Sequence, residues 1–309
     1  MEDELVLLEK CELCPRKCRV NRLKGEKGYC GTANKIIIAH YGPHYGEEPP
    51  ISGAKGSGTI FFSSCNLRCI FCQNYQISQH REGESYTVEE LVEIFILLEK
   101  QGCHNINLVS PTPYVPFIAA AIKKVRLKGL RIPFVYNTNA YENVEALKTL
   151  DGLIDIYMPD FKYWNAGMAK KLSDAPVDKS YPEYAAAAIL EMKRQVGGLA
   201  IENGVAKKGL LVRHLVLPGN LAGSDRIIEW TRDNLGTDTF ISLMSQYYPI
   251  HLAGQYPMMN RRIRIEEYDA LTDLLVKEGF DNVFIQKLES ALLFVPDFKK
   301  EEPFGNKGR

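Results

Sequence analysis

The chain has 309 residues, 45% hydrophobic and 25% charged, which is enough apolar material for a large core and argues against extensive disorder. Lys plus Arg and Asp plus Glu each number 38; with a formal charge of zero, a nucleic-acid partner is disfavoured and a small-molecule or protein substrate favoured. The acidic start MEDELVLLEK is unlike a signal peptide and no apolar run reaches membrane-spanning length, so a cytoplasmic protein without a membrane partner is expected.

Three segments follow in chain order: a Cys-rich, Gly- and Pro-rich N-terminal extension at 1–58, a strand–helix alternation at 59–290, and a C-terminal tail at 291–309. The extension carries Cys11, Cys14, Cys18 and Cys30, spaced C-x2-C-x3-C-x11-C. Four thiols within twenty residues of an intracellular-looking chain read as metal ligands, either for structural zinc or for an iron–sulfur cluster. The end of the tail, FKKEEPFGNKGR, offers little to bury and is expected to be mobile.

In the middle segment, short β-branched or aromatic runs precede amphipathic stretches, the pattern of βα units. Strands are expected at Thr59–Ser63, Asn105–Ser110, Ile132–Thr138, Leu153–Pro159, Gly209–Leu217, Phe240–Ser245 and Asn282–Gln286. The clearest helix start is Thr87, with Glu90 three residues on as a capping box and Val88, Leu91, Val92, Phe95 and Leu98 at helical spacing. Further helices are expected near 114–128, 181–196, 223–235 and 264–278. The crossovers are long enough for parallel strands, giving an α/β fold that is either a partial barrel or a doubly wound sheet. In both, functional groups collect at the carboxyl ends of the strands.

That rim is where the unusual residues fall. Cys65, Cys69 and Cys72, spaced C-x3-C-x2-C, follow the first expected strand. Three thiols on so short a loop can wrap one face of a cubane and leave one iron open, whereas structural zinc normally takes a fourth Cys or His. Ser110-Pro111-Thr112-Pro113, Asn137-Thr138-Asn139 and Asp160-Phe161-Lys162 end the next three strands, and His214 lies in the fifth. Cys103 stands alone and reads as a small buried apolar residue. The tyrosines of Gln246-Tyr247-Tyr248-Pro249 and Gln255-Tyr256-Pro257-Met258 suit a cleft or a packed loop.

The stretch G-T-I-F-F-S-S-C-N-L-R-C-I-F-C-Q-N-Y-Q-I-S resembles radical S-adenosylmethionine (SAM) enzymes, and among them the relatives of pyruvate formate-lyase-activating enzyme. The resemblance implies a partial (β/α)6 TIM barrel of radical SAM type with the Cys-rich metal-binding extension attached. It implies an oxidoreductase in which Cys65, Cys69 and Cys72 hold a 4Fe-4S cluster, SAM chelates the open iron, and reductive cleavage yields a 5'-deoxyadenosyl radical for hydrogen abstraction. Asp160 and Lys162 correspond to a pair that contacts the methionine end of SAM, Asn137 and Asn139 to a ribose contact, and His214 to a carboxylate or adenine contact, while Phe71, directly before the last cysteine, is placed to shield the cluster or touch adenine. Where many members have Gly-Gly-Glu, this chain has Ser110-Pro111-Thr112-Pro113, leaving the amino group to backbone carbonyls or Thr112. Implied partners are a reducing donor such as flavodoxin or ferredoxin and a glycyl-radical enzyme to be activated. Two other readings stand beside it: a radical SAM catalyst acting on a small metabolite or peptide, and a non-enzymatic zinc-binding scaffold.

Overall fold

The structure, a computed structural model, describes residues 2–288, 295–300 and 302–304. Among the described residues ten strands form one sheet system: β1 Ile36–His44, β2 Ser57–Phe62, β3 Glu84–Tyr86, β4 Ile106–Val109, β5 Phe134–Thr138, β6 Ile156–Pro159, β7 Ala200–Glu202, β8 Val205–Leu215, β9 Phe240–Met244 and β10 Val283–Ile285. The helices are α1 Glu2–Leu5, α2 Pro49–Ser52, α3 Tyr75–Ser78, α4 Val88–Lys100, α5 Val115–Leu127, α6 Val144–Lys148, α7 Ala166–Ser173, α8 Tyr181–Val196, α9 Ser224–Leu235 and α10 Ile265–Lys277.

Local chemistry explains the framework. At the start of α4, the Glu90 amide donates to Thr87 Oγ1 at 3.2 Å and the Thr87 amide to Glu90 Oε2 at 2.7 Å, so the capping box is reciprocal. The apolar side of α4 is buried, Ile94 joining the five residues expected there. On β2, every residue is buried on both faces. Gly58 is required in it because a Cβ would lie 2.8 Å from the Asn105 carbonyl and 3.1 Å from the Leu98 Cβ.

The order of strands decides the architecture. β2, β4, β5, β6, β8, β9 and β10 pair in parallel in that sequence without reversal. A doubly wound sheet reverses at a switch point, so this sheet is the singly wound, partial-barrel kind: six βα units and a closing strand. The antiparallel hairpin partner β1 extends the β2 edge and carries β3 outside it. β1 belongs to the Cys-rich segment and was not expected as a strand; the extension therefore shares the sheet of the barrel.

Inward-facing side chains change character along each strand. Val135, Ile156, Met158 and Leu211 pack with Ile51 of α2 into an apolar floor. Two residues further toward the carboxyl ends, the same faces carry Asn137, Asp160 and Arg213. The outward faces and the helices form the main core, which reaches Leu8 and Leu13 of the extension. The tail is a second departure from expectation: its described part packs, with Phe298 5.4 Å and Phe304 5.3 Å from Phe61 between ring centroids. Two phenylalanines six residues apart supply the apolar surface that composition made look absent. Among the described residues no helix is long and apolar enough to cross a membrane.

Candidate active site at the carboxyl ends of the strands

Past β2 the chain enters the cysteine loop through Ser64, which takes a positive φ of 75°. Backbone bonds then pin the loop: Arg68 N to Ser173 O and Ile70 N to Leu172 O, both 2.9 Å. Cys65, Cys69 and Cys72 open from it into a cleft of about 220 Å³. Each sulfur has a polar neighbour. Cys65 Sγ accepts from Leu67 N at 3.4 Å and Asn139 Nδ2 at 3.3 Å, Cys69 Sγ from Ser173 Oγ at 2.9 Å, and Cys72 Sγ lies 3.3 Å from Ser78 Oγ. Burial pushes the thiols of Cys65 and Cys69 up to about 11 and raises that of Cys72, so loading a metal must displace their protons. Among the described residues, no three His, Cys, Asp or Glu side chains converge closely enough for one ion.

Facing the cysteines is a group of buried, paired side chains. Asp160 Oδ2 accepts from Lys162 Nζ at 2.6 Å and Oδ1 from Arg213 Nε at 2.8 Å. Arg213 also donates from Nη2 to Asn137 Oδ1 at 2.6 Å and from Nη1 to Glu47 Oε2 at 3.1 Å. Burial works against the Asp160 charge, but Arg213 and Lys162 overcome it and hold its pKa below the ordinary value. Burial likewise opposes the Lys162 charge, yet attraction to Asp160 and Cys69 keeps its pKa high. Glu47 is held up by burial against the pull of Arg213. Acids and bases side by side complement a zwitterion, such as the ammonium and carboxylate of an amino acid.

The cleft gathers Phe71, Asn137, Asn139, Asp160 and Lys162 of the expected contacts together with the three cysteines. Phe71 packs edge-on against Tyr247, ring centroids 5.7 Å apart, and Tyr248 also lines the cleft. Asp160 and Lys162 share one side because Phe161 between them points into the core.

Two expected contacts turn away. His214 lies between Arg213 and Leu215, which face the cleft, so alternation along β8 sends it outward with Val212 and Val216. There it is 1% exposed, and burial drops its pKa to about 4. Thr112 donates to Glu142 Oε1 at 2.6 Å and lines the space beside Cys11, Cys14, Cys18 and Cys30 instead; Ser110, at a φ of 59°, is the residue of that turn in the cleft. Sequence reasoning missed Arg213 and Glu47. The alternation that excludes His214 would have found Arg213, whereas nothing local marks Glu47, which meets Arg213 across 166 residues. Cys103 is buried, as its position predicted.

A singly wound parallel barrel with a polar, cysteine-bearing cleft at its carboxyl rim defines an α/β barrel protein of the enzyme-building kind. Residues 59–192 match the Radical SAM superfamily. The chain is 30% identical over 286 residues to Uncharacterized protein MJ0674 of Methanocaldococcus jannaschii, covering 90% of this chain and 78% of that one. It belongs to the radical SAM superfamily and is a radical SAM enzyme, a family that implies a 4Fe-4S cluster and SAM. Among solved structures it is similar to a radical SAM methyltransferase from Sphaerobacter thermophilus, with a TM-score of 0.49, 14% identity, and coverage of 74% of this chain and 65% of that chain. It is also similar to HydG, a maturase of the FeFe-hydrogenase, with a TM-score of 0.48, 14% identity and coverage of 72% of this chain; the chain spans about half, 48%, of HydG.

Proposed function

We propose that this chain holds a 4Fe-4S cluster on Cys65, Cys69 and Cys72 and cleaves SAM reductively to abstract hydrogen from a substrate at the barrel mouth. The observation that carries the reading is one cleft shared by three clustered thiols and the ion-paired Asp160–Lys162–Arg213–Glu47 group. When bound, the reduced cluster supplies the electron that breaks the sulfonium-to-carbon bond of SAM and so generates the hydrogen-abstracting carbon radical.

The chain's own residues bind and orient. Lys162 and Arg213 offer cations to the carboxylate of the methionine end, and Asp160 and Glu47 offer acceptors to its ammonium. Asn139 donates to the Cys65 sulfur and Ser173 to that of Cys69, which stabilises thiolates in a site whose burial otherwise disfavours them. Phe71 and Tyr247 shut water from the cysteine side. A small donor protein of the flavodoxin or ferredoxin kind is the proposed reductant.

The test is anaerobic reconstitution with iron and sulfide, then reduction in the presence of SAM and quantification of 5'-deoxyadenosine. Wild-type protein is expected to accumulate it, and Cys69→Ala to lose the SAM-dependent change in the cluster spectrum and the product together. Product formation by Cys69→Ala at the wild-type rate would refute the assignment. Activation of a glycyl-radical partner is the finer form of this reading, tested by a persistent glycyl-radical signal on a candidate partner after incubation.

A further inference from the structure

Cys11, Cys14, Cys18 and Cys30 line one small cavity of about 20 Å³, outside the cleft of the Cys65 loop. Each of the four sulfurs meets a hydrogen-bonding group. The amides of Leu13 and Arg16 serve Cys11 and Cys14, Tyr29 N donates to Cys18 Sγ at 3.4 Å, and Cys30 Sγ lies 3.1 Å from Thr32 Oγ1. An amide two residues beyond a cysteine recurs at Cys65, where Leu67 N donates to the sulfur. The same turn thus presents sulfur at both sites.

A second, independent observation concerns charge. Arg22 walls this cavity and is 1% exposed, among the largest fully buried side chains of the described residues. Its Nε donates to Ala33 O at 3.0 Å and its Nη1 to Pro113 O at 2.7 Å; both acceptors are neutral carbonyls. Its Nη2 is buried with no acceptor at ordinary hydrogen-bond distance, while the Arg22 side chain lies within reach of the Cys11 thiol. A guanidinium keeps its charge when buried, and a buried charge without a counter-ion is costly. Arg22 and the four cysteines line the same cavity, which sets its charge beside the sulfurs.

We propose that the four thiolates and Arg22 form a second metal centre, a doubly negative metal tetrathiolate for which Arg22 Nη2 is the buried counter-ion. Four thiolates around zinc and four thiolates around an oxidised 4Fe-4S cubane carry the same net charge, so the arginine suits both. Among the described residues no three such side chains are close enough for a single ion, so binding either occupant would require the sulfurs to move to its bond lengths. The centre also braces the first site. Asn66, next to Cys65, lines the cavity, and Arg16 ties the extension down by donating to Asn66 O and Asp174 O, both at 2.7 Å.

The experiment removes the first site and asks what metal remains. Full-length protein with Cys65, Cys69 and Cys72 all changed to alanine is purified anaerobically and analysed for zinc, iron and sulfide. The expected result is about one zinc, or about four iron with four sulfide, per chain, with X-ray absorption reporting sulfur neighbours. Zinc identifies a structural ion and iron with sulfide a cluster. A metal-free triple variant overturns the proposal, and because SAM cleavage is not measured, that failure is separate from any failure at the first site. Within the same background, Arg22→Gln is expected to release metal to a chelator at least about tenfold more readily, with Arg22→Lys recovering part of the difference. Equal retention by Arg22→Gln and the parent would remove Arg22 from the centre. X-ray absorption on the triple variant answers the ligand question even where a further cysteine change prevents folding.

Discussion

Arg213 and His214 are adjacent on β8 and serve opposite sides of it. Arg213 bridges Asp160, Glu47 and Asn137 inside the barrel, whereas His214 places Nδ1 2.6 Å from Phe161 O and Nε2 2.7 Å from Ser224 Oγ in the outer layer. A carbonyl can only accept, so Nδ1 carries the proton and Nε2 accepts from the Ser224 hydroxyl, a neutral ring with both nitrogens used. The two residues therefore predict different experiments.

Removing the Arg213 charge strands two acids. Their side chains are 14% and 11% exposed, and Arg213→Met leaves Asp160 with Lys162 alone and Glu47 with no cation within bonding distance among the described residues. Breaking such a buried network costs about 3–5 kcal/mol, which corresponds to a fall of roughly 10 °C in Tm. Arg213→Lys should fall between, keeping the charge and losing the fork that reaches three partners. Urea unfolding of the metal-free proteins checks this, and a Met variant unfolding at the wild-type urea concentration would contradict the network's role.

His214 makes stability depend on pH. Its folded pKa of about 4 lies below the ordinary 6.5, so between those values the unfolded chain binds a proton that the folded chain refuses. Stability from this residue is therefore intact above about pH 6.5 and is lost as pH falls toward 4, by about 2 kcal/mol between pH 8 and pH 5. Glu142 works in the opposite direction: burial raises its pKa to about 7, so the folded state holds the extra proton and stability falls as pH rises from 4.5 toward 7. The wild-type profile mixes both. The clean measurement is the difference between wild type and His214→Gln, which keeps a donor and an acceptor but does not titrate; its loss on acidification should be about 2 kcal/mol smaller. Parallel pH profiles would show that His214 is not neutral in the fold.

Much of this arrangement was legible in local sequence. Thr87 and Glu90 fix a helix start by chemistry three residues long, and C-x3-C-x2-C places three thiols on one turn, so both could be read without knowing the fold. What local reading lacks is the partner. β1 is hard to see because its pairing with β2 is made across the loop that holds α2, and β3 is only Glu84-Ser85-Tyr86, too polar and short to stand out. Glu47 looks like a loop acid until β8 brings Arg213 to it. Arg213 itself is readable from Leu211 and Leu215 at period two, but the family resemblance points to the neighbouring histidine instead.

Asn139 should tune the cysteine site rather than build it. Its Nδ2 donates to Cys65 Sγ at 3.3 Å and to Asn66 Oδ1 at 2.8 Å, and its Oδ1 accepts from Tyr141 N. A hydrogen bond to a ligating sulfur stabilises the more negative, reduced state of a cluster. Asn139→Ala removes one such bond, worth about 1 kcal/mol, and should lower the midpoint potential by about 40 mV. Potentiometric titration followed by electron paramagnetic resonance reads the shift. An unchanged or higher potential would mean that the contact does not survive in the loaded protein.

The tail should govern leakage at the mouth of the cleft. Phe304 lines the cleft and lies 4.3 Å from the His44 ring, and Phe298 backs it by packing on Phe61. Gln76 holds this segment from the other side, accepting from Phe298 N at 3.0 Å and donating to Asp297 Oδ1 at 3.3 Å. Under the proposed chemistry an aromatic wall at this place keeps water and stray hydrogen donors from the reacting carbon. Phe304→Ala should therefore raise 5'-deoxyadenosine formation in the absence of substrate while changing global stability by no more than about 1 kcal/mol, because the ring is only part-buried. Phe298→Ala removes the support and not the wall, so its effect should run the same way and be smaller. If both variants show the wild-type substrate-free rate, the packed tail has no part in closing the cleft, and its contacts with Phe61 and His44 serve stability alone.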